Sequence, residues 1–133
     1  MTTMNHVTKK TMNRSSKNMT LTSRRNSIIY ALNGIKLLPG EPNIKLHIIA
    51  TAVVVIAGFL KHLNGNQWIA IVAAIALVWI CETINTAIEK LCDFACNMER
   101  SDAIKAVKDI SAGAVLMASA TSVVIAVIVF FFQ

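Results

Sequence analysis

The amino-acid sequence predicts an all-α membrane bundle: an amphipathic surface helix followed by three membrane-spanning helices. Three observations carry this. Of the 133 residues, 55% are hydrophobic and only 15% charged, where a soluble domain carries about a quarter charged residues. Residues 110–132 run without a single charge, long enough to cross a bilayer with some tilt. Two shorter uncharged runs, Ile48 to Leu60 and Ile69 to Cys81, precede it. The length suits one domain.

Residues 1–23 are rich in Thr, Asn, Ser and Lys. They hold too little apolar surface to offset ordering entropy and read as a disordered basic tail. No apolar core or small-residue cleavage site follows its charges, so it does not read as a signal peptide. The domain is therefore placed at 24–133. Over residues 24–38 the pattern turns helical: Ile28, Ala31, Leu32, Ile35 and Leu38 project within about 120°, with Arg25, Asn26, Asn33 and Lys36 opposite. Ile29 falls on the polar side. Pro39, Gly40 and Pro42 end this helix.

Each short apolar run has 13 residues, or roughly 20 Å of helix, less than the hydrocarbon core. Their ends complete them. Lys45, His47 and Lys61 can snorkel, Trp68 suits a membrane interface, and Ile84, Ala87, Ile88 and Leu91 carry the second helix past Glu82. The expected spans are 44–62, 67–92 and 109–132. In the third, Ala114, Ala118 and Ser122 recur at four-residue spacing. That spacing either lets a neighbouring helix approach closely or reflects the ordinary composition of an apolar helix.

The net charge of +6 is unevenly spread. Eight Lys and Arg in residues 1–45 face one acid, Glu41, whereas residues 82–109 hold four bases and six acids. A basic end beside so apolar a remainder points to an anionic membrane surface, and nucleic acid is not an expected partner. Lys61 is the one base between the first two spans, so the positive-inside rule puts the N-terminus and the 92–109 segment in the cytoplasm and the C-terminus outside. Cys81, Cys92 and Cys96 suggest neither a disulfide framework nor a zinc site, having no His nearby and too few ligands.

The chemistry is concentrated between Cys81 and Asp93. On a helix Glu82, Asn85, Glu89 and Asp93 project within about 80° of one another. A carboxylate facing lipid costs several kcal/mol, so such a stripe turns to the bundle interior and marks a functional path. The alternative is a solvated helix end, more credible for Glu89 and Asp93 than for Glu82, which abuts the apolar run. At that boundary Glu82 suits a general base for a lipid hydroxyl. Glu89 lies nearly two turns further on, where hydrated Mg2+ could be met and held with phosphate oxygens. Asn85 sits between them. Lys108 and Asp109 stand at the same level before the third span; a Lys there can neutralise a transferring phosphate or merely anchor the span.

Glu82-x-x-Asn85-x-Ala87-Ile88-Glu89-x-x-x-Asp93, followed by Lys108-Asp109-Ile110-Ser111-Ala112-Gly113-Ala114, resembles the prokaryotic diacylglycerol kinase family, which includes the undecaprenol kinases. The resemblance extends to Ala31-Leu32-Asn33-Gly34 and to Glu41-Pro42-Asn43-Ile44-Lys45-Leu46-His47, covering about residues 24–133. It implies a homotrimer in the bacterial cytoplasmic (inner) membrane, with active sites at the cytoplasmic edge. It implies ATP as phosphoryl donor, Mg2+ as cofactor and a membrane lipid alcohol as acceptor. Diacylglycerol, converted to phosphatidate, is the first expectation and undecaprenol the alternative. Glu82 then resembles the catalytic base and Asn85 a positioning residue. Glu41 and Glu89 resemble the metal-binding carboxylates, and Asp93, Lys108 and Asp109 nucleotide-site residues. Where the family often has a His-Pro pair, this chain reads Arg100-Ser101-Asp102-Ala103, so nothing is carried over from that His.

No Gly-x-x-x-x-Gly-Lys phosphate loop and no protein-kinase signature occurs. Phosphates must then be held by metal, Lys and helix ends, which suffices because phosphoryl transfer depends mainly on positioning and charge stabilisation. The rival from another class is a non-catalytic membrane pore or assembly protein that uses the acidic stripe for ions.

Overall fold

The computed structural model describes residues 21–96, 99 and 101–132; the expected tail over residues 1–20 lies outside them. Helix accounts for 92% of what is described, and no strand occurs among the described residues. Helix α1 (Leu21–Leu37) belongs to one compact unit, and Leu38–Gln133 form another. The first helix begins three residues before the expected boundary at Arg24. Once nucleated, a helix gains one bond for each residue fixed, and the Ser27 hydroxyl adds a 3.0 Å bond to the Ser23 carbonyl. Ile28, Leu32 and Ile35 on α1 are exposed.

The second unit opens with a 3-10 turn, Leu38–Gly40. Helices α2 (Pro42–Leu60), α3 (Gly65–Ala95) and α4 (Asp102–Phe131) follow, each long and apolar enough to cross a membrane. They overlap the expected spans, but α3 and α4 run on as helix beyond the apolar runs. At 31 and 30 residues they are about 45 Å long, so one end of each passes the hydrocarbon layer of about 30 Å. Asp102 in the first turn of α4 complements the helix dipole. That start lies seven residues before the expected 109.

Pro42 at the first helical position sets the course of α2. It pre-forms the helix start and forces the preceding residue out of the helical region; Glu41 accordingly sits at φ −83°, ψ 135° and makes no side-chain cap bond. Its carboxylate is left free to reach another element. At the far end of α2 the chain reverses tightly. His62 adopts a left-handed φ of 52°, and Asn64 and Gln67 form a reciprocal capping box with bonds of 2.7 and 3.1 Å. Gly58 is needed there, since a Cβ would lie 2.8 Å from the Trp68 ring. Leu63, Ile71 and Val129 are buried together at this end, with Trp68 and Phe130 packed against them.

Helix α4 packs mainly on α3. Ala118 is buried, and the Ser122 hydroxyl donates to the Ala74 carbonyl of α3 at 3.0 Å. Such a side chain-to-backbone bond requires close approach, so the small-residue spacing of α4 serves helix contact.

Candidate functional site

The helix register of α3 turns the acidic stripe inward. Glu82 and Asn85 are only 2% and 3% exposed. The neighbouring Thr86 is buried as well, although the sequence drew no attention to it. Stripe residues nearer the end of α3, Glu89 and Asp93, are half-buried.

Glu82 is the deepest of the acids. His47 Nε2 of α2 lies 3.7 Å from its Oε2, while Oε1 is buried with no hydrogen-bond partner among the described residues. Buried polar atoms are nearly always paired. An orphan acceptor here marks a place where an incoming hydroxyl would satisfy a real deficit.

One turn along, Asn85 Nδ2 donates to Glu89 Oε1 at 3.3 Å, and its Oδ1 accepts from Ser111 Oγ of α4 at 2.7 Å. Further toward the polar end Lys108 Nζ donates to Asp93 Oδ1 at 2.9 Å. Asp109, expected beside Lys108 at the nucleotide, is exposed and pairs with Lys105 one turn earlier. Asp93, Lys105, Lys108 and Asp109, with Cys96, Glu99 and Asp102, line an open cleft of about 510 Å3. Its two ammonium groups, each paired with an Asp, are of the kind that binds phosphate oxygens.

Glu41 is engaged by Lys90 Nζ at 2.6 Å. The expected metal pair is therefore not preassembled: Glu41 holds a Lys and Glu89 holds an amide. Among the described residues no group of three or more His, Cys, Asp or Glu is gathered. Mg2+ commonly takes one or two carboxylates and completes its shell with phosphate and water. The Lys90 ammonium already stands in for a cation at Glu41, which supports a fit. The three cysteines are free thiols, as expected.

On the apolar side of Glu82 a groove of about 180 Å3 runs between α2, α3 and α4, from His47 and Trp79 past Val78 and Ser119 to Ile71 and Ala126. His47, Lys90, Lys105 and Ser111 are the site residues that pattern reading missed. Only Lys105–Asp109 had a local signal, the i,i+4 spacing of opposite charges. The others are defined by contacts between helices.

Apolar spans, a buried acidic stripe and a charged cleft at one end define a small helical membrane protein with a built polar site. Residues 29–130 match the model of the family described as prokaryotic diacylglycerol kinase. The chain is 34% identical over 105 residues to an undecaprenol kinase of Bacillus subtilis, covering 78% of this chain and 85% of that one. It is 30% identical over 100 residues to a diacylglycerol kinase of Synechocystis sp., covering 74% of this chain and 57% of the relative. The chain belongs to the prokaryotic diacylglycerol kinase family and is a membrane lipid kinase.

Proposed function

We propose that this chain transfers the γ-phosphate of ATP directly to the hydroxyl of a membrane lipid, with Glu82 as general base. The observation that carries the reading is the buried Glu82 carboxylate, with its orphan oxygen, which falls along α3 between Trp79 of the apolar groove and Asp93 of the charged cleft. A lipid tail in the groove would bring its hydroxyl to Glu82. That carboxylate takes the hydroxyl proton as the lipid oxygen attacks the γ-phosphorus. The bond from phosphorus to the bridging β-γ oxygen breaks, ADP leaves, and the proton passes to solvent. Lys108, held by Asp93, faces the phosphates, with Lys105 and Asp109 on the same cleft. Asn85, held by Ser111 and bonded to Glu89, keeps the metal-side carboxylate in place.

Mg2+, held by Glu41 and Glu89, would draw charge from the phosphate oxygens. The positive-inside rule places the cleft and the N-terminus on the cytoplasmic side of the bacterial inner membrane, and the working unit is proposed to be a homotrimer. Of the two lipid alcohols, undecaprenol is favoured over diacylglycerol, because the undecaprenol kinase of Bacillus subtilis is aligned over 85% of its length.

The test is a radiolabelled-ATP assay in mixed micelles with both lipids side by side, repeated on Glu82→Gln. Labelled undecaprenyl phosphate is expected, with labelled phosphatidate as the outcome for diacylglycerol. Turnover is expected to drop about 100-fold or more in Glu82→Gln while Mg·ATP binding persists. No labelled lipid from either alcohol would leave the non-catalytic reading standing.

A further inference from the structure

We infer that His47 is the positioning residue of the base: its ring holds the Glu82 carboxylate in the orientation that receives the lipid hydroxyl. This rests on the reading of Glu82 as base and goes beyond it.

The argument begins with what Glu82 can touch. Asn85, the nearest polar neighbour on its own helix, is committed to Glu89 and Ser111. Among the described residues, only His47 comes within ion-pair reach of the Glu82 carboxylate, at 3.7 Å. A side-chain adjustment of about half an ångström brings that pair to hydrogen-bond distance, with Nε2 donating to Oε2. Oε1 is then the oxygen left for substrate. A catalytic base oriented by a third group is the usual logic of acid–base sites.

The register of the two helices enforces this pairing. One turn deeper, Trp79 Nε1 of α3 donates to Thr51 Oγ1 of α2 at 3.0 Å. Thr51 follows His47 by four residues and Trp79 precedes Glu82 by three, so the two pairs lie one above the other on facing, antiparallel helices. Ile44, three residues before His47 and fully buried, anchors the same face of α2. The Trp79–Thr51 cross-link and a buried anchor leave His47 little freedom to face elsewhere. His47 also forms the polar head of the apolar groove, so the ring stands where a lipid hydroxyl would meet the base.

The test compares His47→Leu, which keeps bulk but has no donor, with His47→Gln, which restores an N–H. Lipid phosphorylation, Mg·ATP binding and the thermal midpoint in micelles are measured for both and for Glu82→Gln. His47→Leu is expected to lose about 30- to 100-fold in kcat, the scale of a misplaced catalytic group, with Mg·ATP binding unchanged. His47→Gln should recover most of that loss, and in a Glu82→Gln background His47→Leu should cost nothing more. Full activity in His47→Leu, or equal losses in Leu and Gln, overturns the inference. Strictly additive losses with Glu82→Gln also overturn it. An active Glu82→Gln overturns the base reading instead, which keeps the two failures apart.

Discussion

Ser111 Oγ of α4 donates a 2.7 Å hydrogen bond to Asn85 Oδ1 of α3, and both side chains are buried. Ser111 accepts its place from its own helix as well, lying 2.9 Å from the Lys108 carbonyl. Through Asn85 the bond reaches Glu89, so one hydroxyl couples α4 to the Glu89 carboxylate.

Ser111→Ala should therefore do more than trim a side chain. The buried Asn85 acceptor loses its partner, which costs about 1–3 kcal/mol, and the amide is free to turn from Glu89. Turnover is expected to fall about tenfold with a comparable rise in the apparent magnesium constant. Ser111→Thr, retaining the hydroxyl, should lie between. A variant that melts earlier but keeps full magnesium dependence would confine Ser111 to packing.

Glu41, the residue capping α2, and Glu89 of α3 are proposed to serve one metal site. Glu41→Gln and Glu89→Gln should each weaken magnesium dependence, and the double variant should be little worse than the poorer single, since groups acting on one site are not additive. Lys90 competes for Glu41 at 2.6 Å, so Lys90→Ala should tighten the apparent magnesium constant. Strictly additive losses would reduce these acids to general charge.

Gly58→Ala should destabilise the α2–α3 reversal. The added methyl would sit 2.8 Å from Trp68, whose ring also packs against Phe59 with centroids 4.9 Å apart. Overpacking of this kind costs about 1–3 kcal/mol. A lower thermal midpoint is expected with kcat little changed per folded molecule, because Trp68 lies 14 residues before Glu82 on α3, about 20 Å of helix away. A loss of kcat at an unchanged midpoint would contradict this.

Topology is open to thiol labelling. With Cys81, Cys92 and Cys96 replaced, a Cys introduced after Phe132 should react with an impermeant reagent in intact cells. Labelling only after permeabilisation would require an even number of crossings and break the three-span reading.

The sequence by itself determined the helical membrane class, the three spans and the inward acidic stripe. Each depends on local quantities, namely run length, charge and 3.6-residue periodicity, and a backbone in hydrocarbon has few alternatives to helix. Span limits were legible only approximately, because α3 and α4 continue as helix past the point where hydropathy ends. Tertiary structure alone decided who meets whom. Pairing of His47 with Glu82, Ser111 with Asn85, Lys90 with Glu41 and Trp79 with Thr51 joins residues 26 to 49 positions apart. Such pairs depend on the register between packed helices, which is set by side-chain volumes and close contacts such as Ser122 on Ala74. Periodicity within one helix carries no information about that register.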